Sequence, residues 1–389
     1  MKKPVLAAVA LCAVAVVVGT ASAATRGDGG AKGHAPFTLA VYGDEPYGIE
    51  PPAGPLDTTA FQRTPAFIAA VNADPTVDLV MHVGDIHSGS EHCYATPADN
   101  PYGGVSDQGI FDLWTAFRDP MVYAPGDNEW TDCTKKKENT PATSYYDPTQ
   151  AGHIAGDPLD NLALVRSIFF AHPGTTLGQH SMPVVSQGLV DPQYSAYVEN
   201  VMWERAGVVF VTLNLPGSNN DLVPWYGGYP KAPNPRQIAE SAQRTAADEA
   251  WLAAAFNVAK LANAKGVMIG AQADMWDPAA LPKNPGDGLD GYDGIVQQLA
   301  SLARDFGKPV LLVNGDSHVY EADKPLSQAF YSSSSTVGDV HHVGYAVNNF
   351  QRVTVEGSTN TVADWYLRLN VDPESAQVFS WEPVQPVLP

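Results

Sequence analysis

Four times in this 389-residue chain an apolar run closes on Gly-Asp: LAVYGD at Asp44, LVMHVGD at Asp85, MVYAPGD at Asp127 and VLLVNGD at Asp316. Short runs rich in Val, Leu and Met and ended by glycine have the pattern of buried strands in an α/β sheet. Ligands of open α/β sheets sit in the crevice beyond the carboxyl ends of the strands. Carboxylates converging there repel one another unless cations lie between them, so a metal site is the simplest chemistry. Gly-Asp is also a common turn pair. It recurs at Asp28, Asp157, Asp287 and Asp339 with no strand-like run in front. The strand context therefore carries the argument, and four unrelated turns are the alternative.

The elements that would hold these acids follow from periodicity. A strand to Tyr42, a helix from about Thr59 to Asn72, a strand from Leu79 to Val83, a helix around Ile110 to Phe117 and a strand from Met121 to Ala124 make a βαβ rhythm. A polar stretch from Glu138 to Asp157, a helical segment from Leu159 to Phe170 and an irregular stretch from Ser181 to Ser195 follow. Tyr197 to Trp203 and Val208 to Leu213 form an antiparallel hairpin around Glu204 to Gly207. Then come an Ala-rich helix from Arg236 to Asn263, a strand from Val267 to Ile269, a helix from Gly294 to Phe306 and a strand from Val310 to Val313. Beyond His318 the runs Phe350 to Val355, Trp365 to Leu369 and Ala376 to Trp381 look like strands only. Two stacked mixed sheets flanked by helices fit this order.

Residues 1–23 have a basic start at Lys2 and Lys3, an apolar stretch from Val5 to Val18 and an A-x-A site at Ala21 to Ala23. They predict a cleaved signal peptide and a secreted protein, extracellular or in the cell envelope. An uncleaved anchor is the alternative, but the apolar stretch falls short of the ~20 residues of a spanning helix. Residues 24–35 predict a flexible leader, and 36–389 a single domain. Cleavage removes Cys12 and leaves Cys93 and Cys133, which in an oxidising compartment form a disulfide or remain as two buried thiols. A bond would tie the loops after two acid-bearing strands, stabilising the fold by roughly 4 kcal/mol. The formal charge of −20 becomes −22 once Lys2 and Lys3 leave, which argues against nucleic-acid backbones and anionic membrane surfaces as partners, since both carry the same sign.

In order and spacing, GDEPY (Gly43 to Tyr47), GDIHSG (Gly84 to Gly89), GDNE (Gly126 to Glu129), GAQAD (Gly270 to Asp274) and GDSH (Gly315 to His318) resemble the motifs of the calcineurin-like metallophosphoesterase family. The helix ending ADEAWLAAAF is similar to the one that precedes the family's fourth motif. The resemblance covers most of the mature chain. It implies a secreted bacterial type of the family, an α/β fold built as a four-layer α/β/β/α sandwich, and two divalent metal ions. It implies that Asp85 bridges the ions, that Asp44 and His318 complete the first, and that Asp127, Gln272 and Asp316 surround the second. The implied activity is hydrolysis of phosphate mono- or diesters of a small substrate by a metal-bridging hydroxide.

Departures from the family pattern share a direction. Pro46, Asp127, Gln272 and Asp316 stand where the family has His, Asn, His and His. Oxygen-rich shells prefer hard cations, so Mn²⁺, Mg²⁺ or Ca²⁺ is expected. Asn128 stands where the family has the His thought to protonate the leaving group, and an amide cannot do that. His87 is the candidate general acid, with a loop histidine bonded to the backbone as the equal alternative. Tyr47 and Asn128 are candidate substrate-binding residues, Tyr47 being also a candidate metal ligand or packing residue. Asp274 is a candidate replacement for Gln272, Glu129 and Trp130 support the third motif, His82 belongs to the core, and His341 and His342 lie at the surface, with a place facing the site from the last sheet as the alternative. A weak or inactive member that holds Ca²⁺ structurally, or acts as a binding protein, is the rival to the enzyme.

Overall fold

The computed structural model describes residues 34–51, 53–94, 103–132, 157–225, 232–281, 288–333, 337–358 and 364–388. The expected signal peptide, Cys133 and the loop from Glu138 as far as residue 156 lie outside them.

Strands β1 (Phe37–Tyr42), β2 (Val77–His82), β3 (Met121–Tyr123), β4 (Val185–Ser186), β5 (Val201–Arg205), β6 (Val208–Thr212), β7 (Gly266–Gly270), β8 (Val310–Asn314), β9 (Glu321–Asp323), β10 (Phe350–Thr354), β11 (Tyr366–Val371) and β12 (Phe379–Val384) form two sheets. The first runs β12-β11-β1-β2-β3 and the second β4-β5-β6-β7-β8-β10-β9. Both are mixed. Strands β1, β2 and β3 are parallel neighbours, and so are β6, β7 and β8, while β11 and β5 run against them.

The sheets stack face to face. Leu39 and Val41 of β1 join Leu79 and Met81 of β2, Phe210 of β6, Met268 of β7 and Leu311 and Val313 of β8 in the core between them. The alternate residues Ala40, Tyr42 and Val80 pack under α1 (Thr59–Ala73), α2 (Asp107–Trp114) and α3 (Pro158–Phe169) through Phe67, Trp114, Val165 and Phe169. Val209, Val267, Val310 and Leu312 pack under α4 (Pro235–Leu261) and α5 (Asp293–Phe306). The central strands of each sheet are covered on both faces, which is why they are apolar at nearly every position rather than at alternate ones. The architecture is the expected four-layer α/β/β/α sandwich.

Local chemistry sets the element ends. Asn234 accepts from the Arg236 and Gln237 amides to cap α4, and α5 stops at Gly307, whose φ of 69° suits only a left-handed residue. The β5–β6 hairpin turns on Ala206 (φ 54°) and Gly207 (φ 70°), the pair of positive φ values that a two-residue hairpin needs. Three expectations shift. Strand β5 starts at Val201, because Tyr194 to Tyr197 is bent by a Tyr197 N–H to Tyr194 carbonyl bond. The stretch Ser181 to Ser195 contains β4 and a helical turn, Gln187–Val190. Beyond His318 there is a helix, Gln328–Ser333, too short and polar to show periodicity.

Candidate metal centre

Two sets of parallel strands point their carboxyl ends at one place. Asp44, Asp85 and Asp127 follow β1, β2 and β3, while Gly217, Gln272 and Asp316 follow β6, β7 and β8. Backbone bonds continue past the strands: Asp44 N–H to the Gly84 carbonyl (2.9 Å), Gly315 N–H to that of Gln272 (3.0 Å) and Ala273 N–H to that of Leu215 (3.0 Å). The exits are sharp. Asp44 (φ 53°), Asp85 (62°), Asp316 (75°) and His318 (63°) are all left-handed. Such conformations cost about 1 kcal/mol or more each and persist where surrounding structure fixes them, commonly at functional sites.

Asp44, Asp85 and His318 offer ligand atoms that all lie within 4.8 Å of one another. Tyr47 stands among them. Its hydroxyl donates to Asp85 Oδ2 (2.9 Å) and lies 3.2 Å from His318 Nε2 and 3.5 Å from Asp44 Oδ1. Asn128 donates from Nδ2 to Asp85 Oδ2 (2.9 Å) and Tyr47 Oη (3.3 Å), and from its backbone to Asp85 Oδ1 (3.2 Å). Of the readings open for Tyr47, simple packing does not describe it.

Asp127 and Asp316 lie beside this group. A methyl placed on Gly217 would sit 2.7 Å from Asp316 Oδ1 and 2.9 Å from Asp127 Oδ2, so both carboxylates face that glycine. The Asp316 amide donates to both Asp44 oxygens (2.9 and 3.1 Å), which joins the two halves. Gln272 accepts at Oε1 from the Gly217 amide and donates from Nε2 to Asp127 Oδ1 (3.3 Å). An amide nitrogen is no metal ligand. In this arrangement Gln272 is a hydrogen-bond partner of Asp127, and the ligand role that its motif position implies would fall to Oε1, the oxygen that accepts from Gly217.

The other candidates divide. His87 is fully buried and its Nε2 is 2.7 Å from Asp107 Oδ1, at the start of α2. It is bonded to a carboxylate rather than to the backbone, and none of the acids of the centre is its partner in that pair. Glu129 accepts at Oε1 from the amides of Asp85 (2.8 Å) and Gly126 (2.9 Å) and from Tyr123 Oη (2.6 Å), so it sets the second and third motifs together. Asp274 is ion-paired to buried Arg352 and gives only its amide to Asp316 Oδ2 (3.1 Å), which removes it as an alternative to Gln272. His82 lies in the core against the Glu45 carbonyl (2.9 Å). His341 was expected at the surface and is instead buried, 2.9 Å from Asp293 and 2.7 Å from the Met275 carbonyl. Cys93 Sγ lies 2.9 Å from the Glu129 carbonyl oxygen, against the third motif, and Cys133 is outside the described residues.

Sequence reasoning missed Ser218, whose hydroxyl donates to Asp127 Oδ2 at 2.5 Å. A signal was there: Pro216-Gly217 closes the apolar run of β6 as Gly-Asp closes the others, but the residue that follows is serine.

The electrostatics fit divalent cations. Burial first, and then the neighbouring charges led by Asp127, push the carboxyls of Asp85 and Asp316 well above the usual range. Burial also raises Asp44, against the Asp316 amide that favours its charged form. Like charges about 4 Å apart repel by on the order of 4 kcal/mol at an effective dielectric of 20. Protons or metal ions must therefore balance these acids, and burial lowers the His318 pKa, which favours the neutral imidazole that binds metal. Carboxylates with one imidazole, all at hand from fixed strand ends, suit a hard or borderline dication.

No protein-family model matches the chain, and no curated protein matches it. Among solved structures it is similar to a purple acid phosphatase, PPD1, isolated from seeds of yellow lupin (Lupinus luteus), at 12% identity and a TM-score of 0.36. That alignment covers 90% of this chain and 54% of the lupin protein, so this chain spans about half of its length.

Proposed function

We propose that this chain is a metal-dependent phosphoesterase acting on phosphate mono- or diesters of small molecules. One observation carries the reading: Asp44, Asp85 and His318, from the ends of β1, β2 and β8, bring ligand atoms within 4.8 Å of one another in the motif order of the metallophosphoesterases. Asp44, Asp85 and His318 would hold one divalent ion, with Asp85, Asp127 and Asp316 beside a second. Bound ions of this kind polarise a phosphoryl oxygen and supply a deprotonated water at neutral pH.

The chain's own groups would do the rest. Asn128 Nδ2 and Tyr47 Oη, which donate to Asp85 Oδ2, are the side-chain donors beside the centre that would turn to a phosphate oxygen, and Tyr47 Oη is placed equally to bind the ion. Glu129 holds the Asp85 loop at fixed distance from the Asp127 loop. His87, paired with Asp107 through Nε2, is the nearest imidazole in sequence to Asp85, and as general acid it would act through Nδ1, which that pair leaves unbonded. We further infer secretion after removal of residues 1–23 and a bond between Cys93 and Cys133. Among the described residues no helix is long and apolar enough to cross a membrane.

A second reading keeps the metal and drops the turnover. The amide of Asn128, which is no proton donor to a leaving group, favours a Ca²⁺-holding or binding protein. Hydrolysis of p-nitrophenyl phosphate and bis(p-nitrophenyl) phosphate with Mn²⁺, with and without Asp85→Ala, separates the two. Turnover abolished by the substitution supports the enzyme; tight metal binding with no turnover on either ester rejects it.

A further inference from the structure

The loop after β6 carries a feature that the motifs do not include. Ser218, Asn219 and Asn220 have φ/ψ near 53°/41°, 55°/47° and 57°/45°, and Asp221 has φ 64°. Four consecutive non-glycine residues form a left-handed turn at the edge of the metal centre. L-residues avoid such runs, and only Asn and Asp tolerate single visits, so the turn persists because its surroundings hold it.

Every residue after Ser218 is held. Asn219 Nδ2 donates to Asp290 (2.7 Å) and its Oδ1 accepts from the Gly291 amide (2.8 Å). Asp221 accepts from Trp225 Nε1 (2.6 Å) and from Thr131 of the loop that carries Asp127. At the centre stands Arg244 of α4, fully buried. Its Nη1 donates to Asn220 Oδ1 (2.5 Å) and the Asn214 carbonyl (3.2 Å), and its Nη2 to the Asn220 carbonyl (3.1 Å). Its charge is balanced by Glu240 at 3.0 Å and Asp248 at 4.0 Å, and its guanidinium lies over the Trp130 ring at 5.5 Å. A planar fork bridging a turn's side chain and two carbonyls fixes that turn in a way a lysine point charge does not.

The turn delivers two donors. Gly217 N–H reaches Gln272 Oε1 and Ser218 Oγ reaches Asp127 Oδ2. With Gln272 on its other oxygen, Asp127 has one bond on each oxygen and a set orientation. We propose that Ser218 orients Asp127 for the second ion and that Arg244 is the positioning residue that holds Ser218 there, through the left-handed turn. This rests on the two-ion reading above.

The test is calorimetric titration of Mn²⁺ into the full chain, stripped with chelator, for wild type, Ser218→Ala, Ser218→Gly, Arg244→Lys and Asn220→Gly. Partners of this kind change metal affinity by about 10- to 100-fold. Both Ser218 variants should weaken one of two Mn²⁺ sites by that factor and leave the other unchanged, because glycine relaxes the turn but restores no hydroxyl. Arg244→Lys should do the same. Asn220→Gly, which removes the oxygen Arg244 grips while fitting a positive φ, gives the answer if Arg244→Lys does not fold. Two sites of unchanged affinity in the Ser218 variants overturn the role of the hydroxyl, and unchanged affinity in Asn220→Gly overturns that of the clamp. Fewer than two Mn²⁺ on wild type instead overturns the two-ion reading itself.

Discussion

Gly217→Ala is a purely steric test of the centre. Gly217 is not among the residues with positive φ, so alanine meets no conformational penalty there. Its methyl would lie 2.7 Å from Asp316 Oδ1 and 2.9 Å from Asp127 Oδ2. Ordinary contact is about 3.5 Å, so both carboxylates must retreat, by roughly 0.6 to 0.8 Å. Metal–ligand distances tolerate only about 0.2 Å. Overpacking at such a site costs about 1–3 kcal/mol, and if half of that falls on the bound state the affinity drops by about 2- to 12-fold. Calorimetric Mn²⁺ titration reads the affinity and urea unfolding of metal-free protein reads the fold. Gly89→Ala is the control, since its methyl would meet nothing closer than Asn128 Oδ1 at 3.5 Å; it should bind Mn²⁺ within about twofold of wild type. Wild-type Mn²⁺ binding by Gly217→Ala would mean that Asp127 and Asp316 do not converge on Gly217 as described.

Burial raises the carboxyls of Asp44, Asp85 and Asp316, so the folded metal-free chain keeps protons that the unfolded chain releases above about pH 4, and its stability falls as pH rises. Mn²⁺ displaces those protons, so its shift of the melting temperature should be larger at pH 8 than at pH 5; equal shifts contradict this. Burial lowers His82 to about 3, so between roughly pH 6.5 and pH 3 the unfolded chain binds a proton that the folded chain refuses, and stability falls with falling pH. His82→Gln should flatten the stability curve by about 1.4 kcal/mol per pH unit between about pH 6 and 4, and parallel curves would refute the assignment. Glu129→Ala removes the acceptor of three buried donors, which costs at least about 3 kcal/mol in urea unfolding, whereas Glu129→Gln keeps Oε1 and should lose much less. Equal losses would show that the charge, and not the acceptor, matters.

The fold was legible where burial is two-sided. Runs such as Val310 to Val313 or Val208 to Val211 are apolar throughout because one face meets the other sheet and the next meets helices, and their shortness with glycine or a turn beyond marks them as strands rather than helices. The long helix Pro235–Leu261 showed itself by Ala247, Trp251, Leu252 and Ala255 on one face. What escaped was short or edge-bound: β9 and Gln328–Ser333 bury almost nothing, so no apolar period marks them.

The site was legible for the same reason and only to the same depth. A buried strand that ends in Gly-Asp announces both where the backbone leaves the sheet and what it carries, so Asp44, Asp85, Asp127 and Asp316 could be placed together from four separated stretches. Residues that act on those acids from a different layer have no such signature. Arg244 occurs in the middle of α4, where a lone arginine has the pattern of a solvated helix face, yet it is buried against Asn220 and Trp130. Ser218 follows an apolar run as the acids do, but its hydroxyl became meaningful only once the turn placed it 2.5 Å from Asp127. The strand ends supply charged groups by local sequence. The fixed arrangement of those groups comes from contacts between α4, the β6 loop and the third motif, more than 80 residues apart in the chain for Ser218 and Asp127, and pairings at that distance leave no trace in spacing or composition.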